Sequence, residues 1–206
     1  MKTATWLAIA VLSLLGAANM RAQGNRPEMT LHEEPLLGDR GLTRMLYWNE
    51  IKDSPIAAVS IDFGRPAWNR QLDDPLRFDA LTKGRVWRLG NDYWTTLDSN
   101  APLKIGGRDI PIGLWYLGLQ RSADGSAWNL VFIDPVKARA GRLDPHDMSA
   151  APIEFRAPLT VEPPAGFAEK LTIVLAGEKA NIRNGTLRIS WGKVQLVAPI
   201  QIVPEN

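Results

Sequence analysis

Hydrophobic and polar residues alternate over several short stretches of the chain, which is the pattern of strands with one buried face. In the first of these stretches Val59, Ile61 and Phe63 are separated by Ser60 and Asp62. The same alternation returns near the C terminus, and no stretch keeps a helical period for three turns. The pattern therefore predicts an all-β chain.

Turn dipeptides separate the apolar stretches and predict hairpins. Gly106-Gly107 can supply the positive φ angles of a tight turn, and Asp124-Gly125 joins two runs that are apolar on both faces. Those two runs are expected at the centre of the fold, covered on each side. Asn184-Gly185 marks a further turn within the closing meander, which begins near Leu171. Many short strands without crossover helices predict a single antiparallel β-sandwich or flattened barrel over residues 54–206.

The N-terminal part of the chain differs from this domain. One Lys precedes an uncharged run from Thr3 to Met20, and small residues follow, which is typical of a secretory signal peptide over residues 1–22. Cleavage after Ala18 or after Ala22 fits, and a membrane anchor is the alternative. We expect an exported protein, periplasmic or secreted, without a stable membrane span after signal removal. Residues 23–53 are polar and interrupted by Pro and Gly, so they predict a loose N-terminal arm.

Charge and residue counts exclude several function classes. The chain has 24 Lys plus Arg against 22 Asp plus Glu, and removal of the leader with Lys2 and Arg21 makes the two counts equal. Nucleic-acid binding is not expected from such a balance. Without Cys there is no disulfide and no thiol chemistry. His32 and His146 each lack a second nearby His, so neither a metal nor a cofactor is predicted.

Two segments, residues 54–66 and 84–97, carry the candidate chemistry. They place Asp62, Arg65, Arg88 and Asp92 beside Gly, Pro and Trp in what otherwise look like core strands. One interpretation is structural, because an Asp–Arg pair can hold two strands in register. In the other, Asp62 and Asp92 share acid and base roles in hydrolysis, while Arg65 and Arg88 hold an anionic or hydroxylated ligand.

Aromatic residues in the same region suggest a binding surface. Four aromatics lie in polar or turn-rich contexts, namely Trp48, Trp68, Tyr93 and Trp94. They could form an exposed platform for a sugar or a partner, with Trp68, Tyr93 and Trp94 as the candidate binding residues, or they could cap the ends of the sandwich. With no catalytic motif evident, the leading hypothesis is a non-catalytic exported protein that binds a ligand or an envelope protein. A hydrolase acting through Asp62 and Asp92 is one alternative, and a structural envelope component is another.

The chain also resembles a known family through a set of motifs. These are Ser54-Pro55, VSIDFGRP (59–66), VWRLG (86–90) with Thr95-Thr96, IGGRDIPIGLWYL (105–117), the strand at Trp128, and LRISWGKVQLVAPI (187–200). The chain is similar in these motifs to the exported bacterial family catalogued as domain of unknown function 2911. The resemblance implies an all-β fold and export, and it brings no known reaction.

Two departures from the family pattern stand out. Where the family usually has an Asn-Glu pair, this chain has Asn91, Asp92, Tyr93 and Trp94, and KARAGRLDPHD replaces an aromatic-rich segment. If those positions form a shared site in the family, the site is altered in this chain.

Overall fold

The computed structural model describes residues 39–203, so the predicted signal peptide and the first part of the predicted arm lie outside the described residues. Antiparallel strands dominate the described part, and two short α-helices and one 3-10 turn interrupt them. The elements are β1 (Arg40–Asn49), β2 (Ser54–Gly64), α1 (Pro75–Thr82), β3 (Val86–Arg88), β4 (Thr95–Ser99), β5 (Leu103–Ile105), β6 (Arg108–Ile110), β7 (Gly113–Arg121), β8 (Trp128–Ile133), α2 (Pro135–Ala140), β9 (Ile153–Glu162), β10 (Ala168–Gly177), β11 (Asn184–Gly192) and β12 (Val194–Ile202).

The strands form one sheet that curves until its edges nearly meet. Its main order is β1-β2-β4-β7-β8-β9-β12-β11-β10, with β3 paired to β7, and β5 paired to both β12 and β6. The edge strands β1 and β10 lie side by side, and the Leu175 amide donates a hydrogen bond to the Thr43 hydroxyl at 3.0 Å. This nearly closed, barrel-like sheet confirms the predicted all-β fold.

Part of the predicted loose arm is a strand. Residues 40–49 form β1, which pairs with β2 along its whole length. The prediction was wrong for these residues because hydrophobicity and burial do not coincide along the strand. Leu42 and Leu46 are exposed on the outer face, while Thr43 and Met45 lie on the inner face. A strand whose inner face includes Gly41 and Thr43 does not show the usual hydrophobic alternation.

Two hydrophobic cores stabilise the sheet, one inside its curve and one outside. The inner core contains the alternating residues of β2 and of the C-terminal meander, such as Ile61 and Ile189. The outer core lies under α2, where Tyr116, Val131 and Ile133 pack with Ala138 of the helix. Strands β7 and β8 therefore contribute to both cores, as their doubly apolar pattern predicts.

Two of the three predicted turn dipeptides lie in turns. Gly106 and Gly107 have φ of +57° and +81° between β5 and β6, and Gly125 lies in the loop between β7 and β8 with φ of +83°. The Asn184-Gly185 prediction was wrong, because these residues begin β11 and the loop before it occupies residues 178–183. Gly185 is needed there for close packing, since a Cβ would lie 2.6 Å from the carbonyl oxygen of Ala176 on β10.

Neither helix within residues 39–203 is long and apolar enough to cross a membrane. Both begin with Pro after an Asp whose side chain accepts backbone hydrogen bonds, namely Asp74 for α1 and Asp134 for α2. Helix α1 and the 3-10 turn Arg70–Asp73 lie between β2 and β3 in the chain, beside the site described next.

Candidate functional site

Asp62, one of the two predicted catalytic carboxylates, is engaged in an ion pair between strands. It lies on the outer face of β2, and its carboxylate accepts a hydrogen bond from Arg40 Nε of β1 at 2.8 Å. Leu42 is the residue directly opposite Asp62, so the pair with Arg40 is diagonal across the two strands. The contact matches the structural interpretation of Asp62, with Arg40 as a partner that the sequence analysis did not name.

Arg65 and Trp68 follow β2 and connect it to β10. Arg65 Nε donates to the carbonyl oxygen of Leu171 at 3.3 Å, and its Nη1 lies 3.4 Å from Asp39. Trp68 is 7% exposed, and its indole nitrogen donates to Asp73 at 3.2 Å. Hydrogen bonds from Lys193 and then from Trp68 hold the pKa of the Asp73 carboxyl below its usual range, against the opposing effect of its desolvation.

The remaining predicted residues lie at the end of β3 and in the loop that joins it to β4. Arg88 is the last residue of β3, and Asp92, Tyr93 and Trp94 belong to the loop. Arg88 donates to the Asp92 carbonyl oxygen at 3.1 Å. Burial lowers the pKa of the Arg88 guanidinium, and the charges of Asp92 and Asp144 oppose that shift. Tyr93 is 58% exposed, whereas Trp94 is 3% exposed because it enters the outer core.

Trp94 stacks on Tyr116 with the ring centroids 4.6 Å apart and the planes parallel. Burial raises the pKa of the Tyr116 hydroxyl, and the hydrogen bond that Arg139 donates to it at 2.8 Å acts in the opposite direction. This packing makes Trp94 a core residue of the outer layer.

A platform of all four aromatics is therefore not exposed, because Trp48 and Tyr93 are on the surface while Trp68 and Trp94 are buried. Polar neighbours in the sequence do not predict exposure at Trp68 and Trp94, because both residues lie in loops whose indoles pack against the barrel. Asp62 and Asp92 line neither of the two cavities described below. A ligand-binding role for Arg65, Arg88, Trp68, Tyr93 and Trp94 stays a prediction.

The two motif segments meet at a pair of glycines. A Cβ on Gly90 would lie 2.8 Å from the Gly64 carbonyl oxygen, and a Cβ on Gly64 would overlap both the backbone and the side-chain oxygen of Asn91. Only glycine permits this close approach at the two positions. Gly90 must also be glycine because its φ is +97°, which other residues rarely adopt. The contact fixes the loop after β3 and places Asn91 at the wall of the barrel interior.

That wall belongs to a cavity of about 300 Å³. One side is formed by β3, β7 and β8 through Trp87, Leu119 and Trp128, and the other by β10 to β12 through residues such as Ile189 and Leu196. Phe78 of α1 and Trp191 lie at its partly exposed rim with Pro66, Arg88 and Asn91. The cavity is apolar over most of its surface, as small-molecule sites generally are.

Two polar atoms at this cavity have no partner. The indole nitrogen of Trp87 and the side-chain oxygen of Asn91 are shielded from solvent and make no hydrogen bond within residues 39–203. An unsatisfied buried polar group costs about 1–3 kcal/mol, and such groups are rare in native structures. No other buried side-chain nitrogen or oxygen in the described part of the chain is left unpaired. Both atoms are covered by neighbouring groups, so they lie in the wall behind the cavity surface.

Sequence reasoning missed Trp87 and Asn91. Trp87 lies within the VWRLG motif and Asn91 lies at a departure from the family pattern, but neither pattern predicts that these side chains line a cavity. Alternation along β3 could have placed Trp87 on the inner face, since its neighbours Val86 and Arg88 lie on the other side. Nothing in the pattern of the loop shows that Asn91 turns inward.

A second, more open cavity of about 670 Å³ lies at the opposite end of the seam between β1 and β10. Its lining mixes exposed apolar side chains, including Leu46 and Ile182, with charged ones such as Glu178 and Lys179. Although this groove is larger, the barrel cavity is the stronger candidate site, because it is more enclosed and its lining is more apolar.

The structure offers no candidate metal centre among residues 39–203, where no three His, Asp or Glu side chains cluster. His146 is exposed, and its backbone amide donates to Asp144 at 2.8 Å, so it belongs to a loop turn. His32 lies outside the described residues.

The fold and the site together define a small barrel-like β protein with a largely apolar interior cavity near one end. Residues 50–200 match the family model described as protein of unknown function (DUF2911), and the chain belongs to that family. No curated protein and no solved structure matches the chain significantly.

Proposed function

We propose that this protein is a non-catalytic binding protein that holds a small, largely apolar molecule in the cavity between the two walls of its barrel. The single observation that carries the proposal is the cavity itself, which is enclosed by the two walls and lined almost entirely by apolar side chains. An empty apolar cavity loses packing contacts, and a bound apolar molecule would supply them.

Three observations support binding over catalysis. The predicted catalytic Asp62 pairs with Arg40, and neither Asp62 nor Asp92 lines the cavity. Arg88 is the one ionisable residue among those that line it. A site with apolar walls can select a ligand by its shape, but the residues that line this cavity include no carboxylate, His, Ser or Thr to act as an acid, a base or a nucleophile.

Binding can be measured by intrinsic fluorescence, because Trp87, Trp128 and Trp191 all line the cavity. We expect a saturable change in emission when the purified full-length chain is titrated with small aromatic hydrocarbons such as naphthalene. A chain that shows no saturable binding of any apolar compound at its solubility limit would contradict the proposal.

A substitution that fills the cavity provides the sharper test. Leu196→Phe should occupy part of the empty volume, abolish binding and leave the free energy of unfolding nearly unchanged or higher. Leu130→Phe is the matched control in the inner core away from the cavity, and there the larger ring should destabilise the fold by about 1–3 kcal/mol. Ile56→Phe, in the second groove, should retain binding. Retained binding in Leu196→Phe would show that the ligand site lies elsewhere.

We further propose that the protein is exported, which rests on the signal-peptide pattern of residues 1–22. Expression in a bacterial host followed by N-terminal sequencing should give a mature chain that begins at Asn19 or at Gln23. A chain that keeps Met1 and stays with the membrane fraction would favour the anchor instead.

A further inference from the structure

Residues 66–84, here called the strap, join one wall of the cavity to the other. At the first end of the strap, the Pro66 carbonyl oxygen accepts hydrogen bonds from the Leu171 amide of β10 and from the Trp191 indole of β11, both at 3.0 Å. At its second end, the Gly84 amide donates to the carbonyl oxygen of Arg121 on β7 at 3.1 Å. Both ends of the strap are therefore bound to strands, and the strands belong to opposite walls.

Helix α1 lies in the middle of the strap and buries little of its own surface. Among its eight residues only Thr82 is buried, and Phe78 is the one that lines the cavity. The Phe78 ring lies between two indoles, with centroid distances of 6.4 Å to Trp68 and 6.3 Å to Trp128. Trp128 belongs to one wall, whereas Trp68 packs on the other wall through Trp191. Phe78 therefore covers the rim of the cavity where the two walls approach each other.

Arg121 attaches the middle of the strap to the barrel. Its guanidinium donates to the Asp79 carboxylate at 2.6 Å and to the Thr82 hydroxyl at 2.9 Å. The same group lies 5.2 Å from the centroid of the Phe78 ring and 5.5 Å from that of Trp128, which are cation–π distances. Because the Arg121 side chain is 14% exposed, water screens this ion pair less than it screens pairs at the open surface. One side chain therefore holds both the helix and the ring that covers the rim.

We infer that α1 is a gate over the cavity, which Phe78 closes and which the ion pair between Arg121 and Asp79 keeps shut. The inference rests on the proposed function, since it concerns how a ligand enters the same cavity. When the ion pair breaks, the helix can move away from the rim while the two ends of the strap stay bound to their strands. Because the helix covers the cavity both with and without a ligand, a weaker ion pair should raise the rates of entry and exit together.

Thiol labelling measures the opening of the gate without a ligand, because the chain has no Cys of its own. Leu196→Cys places a single thiol in the cavity, and Ile61→Cys places one in the inner core away from it. When Asp79→Ala is added to the full-length chain with Leu196→Cys, alkylation by iodoacetamide should become about fivefold faster, as expected for the loss of a charge-assisted hydrogen bond. The thiol of Ile61→Cys should keep its rate, since it reports on unfolding of the barrel.

Lys83→Gln is the matched control for Asp79→Ala. The Lys83 ammonium lies 2.7 Å from the same Asp79 carboxylate, but this ion pair joins two residues of the strap and does not connect them to the barrel. It should therefore leave the alkylation rate of Leu196→Cys unchanged. Phe78→Ala removes the covering ring and keeps the ion pair, so alkylation should become faster. Melting curves establish that each variant is folded.

Stopped-flow Trp fluorescence with naphthalene measures the same gate during binding. In the full-length chain with Asp79→Ala, the association and dissociation rate constants should both rise about fivefold, and Kd should change less than about twofold. Lys83→Gln should leave both rate constants unchanged. A helix that served only as a wall of the site would give a different result, because loosening a wall raises the dissociation rate constant alone.

The outcomes distinguish this inference from the proposed function. If Asp79→Ala leaves the alkylation of Leu196→Cys unchanged, or speeds that of Ile61→Cys equally, α1 does not open on its own and the inference is wrong even where naphthalene binds. A rise in the dissociation rate constant alone would also overturn it. If naphthalene does not bind the wild-type chain while alkylation responds as expected, the helix opens as inferred and the proposed function is wrong.

Discussion

Gly64 leaves no room for a side chain, because a Cβ there would overlap the backbone and side-chain oxygens of Asn91. We expect Gly64→Ala to displace the loop after β3 and to lower the free energy of unfolding by about 1–3 kcal/mol, as overpacking of a buried site does. Urea unfolding followed by Trp fluorescence measures this loss. Since Leu89, Gly90 and Asn91 of the displaced loop line the cavity, the affinity for apolar compounds should fall as well.

The matched control for Gly64→Ala is Gly166→Ala in the loop between β9 and β10, where a Cβ would meet no atom within 4 Å. That substitution should change stability by no more than about 0.5 kcal/mol. Equal losses in the two variants would show that the close contact between Gly64 and Asn91 has no particular importance.

The candidate site could be predicted from single residues only in part. The segments 54–66 and 84–97 stand out in the sequence for their Asp, Arg and Gly residues, and the structure does bring them together at Gly64 and Gly90. The direction of each side chain was not predictable, because Trp68, Asn91 and Trp94 lie in loops. In a loop no period of two relates sequence position to the buried face, so neighbouring polar residues say little about burial.

At the scale of elements, α2 depends on its first residue. Asp134 accepts hydrogen bonds from the amides of Val136 and Lys137 at 2.7 and 3.2 Å, and the helix covers the outer core through Ala138. Asp134→Ala should therefore cost about 0.5–2 kcal/mol in the free energy of unfolding, which chemical denaturation measures. Asp144→Ala, which removes a similar bond in a loop, should cost less. The reverse order would argue against a stabilising role for this helix start.

We expect a carboxyl group in the loop between β7 and β8 to make the free energy of unfolding depend on pH in the acid range. Hydrogen bonds from Ser122 and Ser126 lower the pKa of the Asp124 carboxyl from 3.8 to about 2. A folded-state pKa below the unfolded value adds stability at pH values above 3.8, and that contribution is lost as the pH falls through about 2. In Asp124→Asn the urea midpoint should change less between pH 4 and pH 2 than in the wild-type chain.

Asp98→Asn is the control for this pH dependence, because Asp98 is exposed and forms no ion pair within residues 39–203. Its profile of urea midpoint against pH should parallel that of the wild-type chain. If Asp124→Asn and the wild-type chain also give parallel profiles, the loop carboxylate does not contribute to acid sensitivity.

Element prediction succeeded where hydrophobic pattern and burial agree. The alternation of Val59, Ile61 and Phe63 matches the inner face of β2, and the doubly apolar runs of β7 and β8 lie between two cores. It failed for β1, whose inner face begins with Gly41 and Thr43 while Leu42 is exposed. In an edge strand whose hydrophobic contacts are confined to its C-terminal half, the alternation of hydrophobic and polar residues is too short to be recognised.

At the scale of the whole molecule, closure of the sheet could not be predicted, because it joins residues that are 132 positions apart in the chain. At one end of the seam, backbone hydrogen bonds join Trp68 to Glu169 and Leu171 to Pro66. Further along, the bond between the Leu175 amide and the Thr43 hydroxyl continues the connection. Hydrophobic patterns specify which face of each strand is buried, but they do not specify which two edges meet.

The seam should be the part of the barrel that opens most readily. Strands β7 and β8 are paired on both edges and packed on both faces, whereas β1 and β10 each have one ladder partner. Amide hydrogen exchange should therefore be faster in β1 and β10 than in β7 and β8. Thr43→Val removes the hydroxyl acceptor at nearly constant volume, so the Leu175 amide should lose protection in particular.

Thr172→Val separates this effect from a general loss of stability, because the Thr172 hydroxyl donates to the Lys170 carbonyl oxygen within β10 and does not cross the seam. Exchange at Leu175 should be unchanged in that variant. If Thr43→Val also leaves Leu175 protected, then packing between β1 and β10 closes the seam without the hydrogen bond. If β1 and β10 exchange as slowly as β7 and β8 in the wild-type chain, the barrel opens as one unit, and a ligand must then enter the cavity through the rim at Phe78 and Trp191.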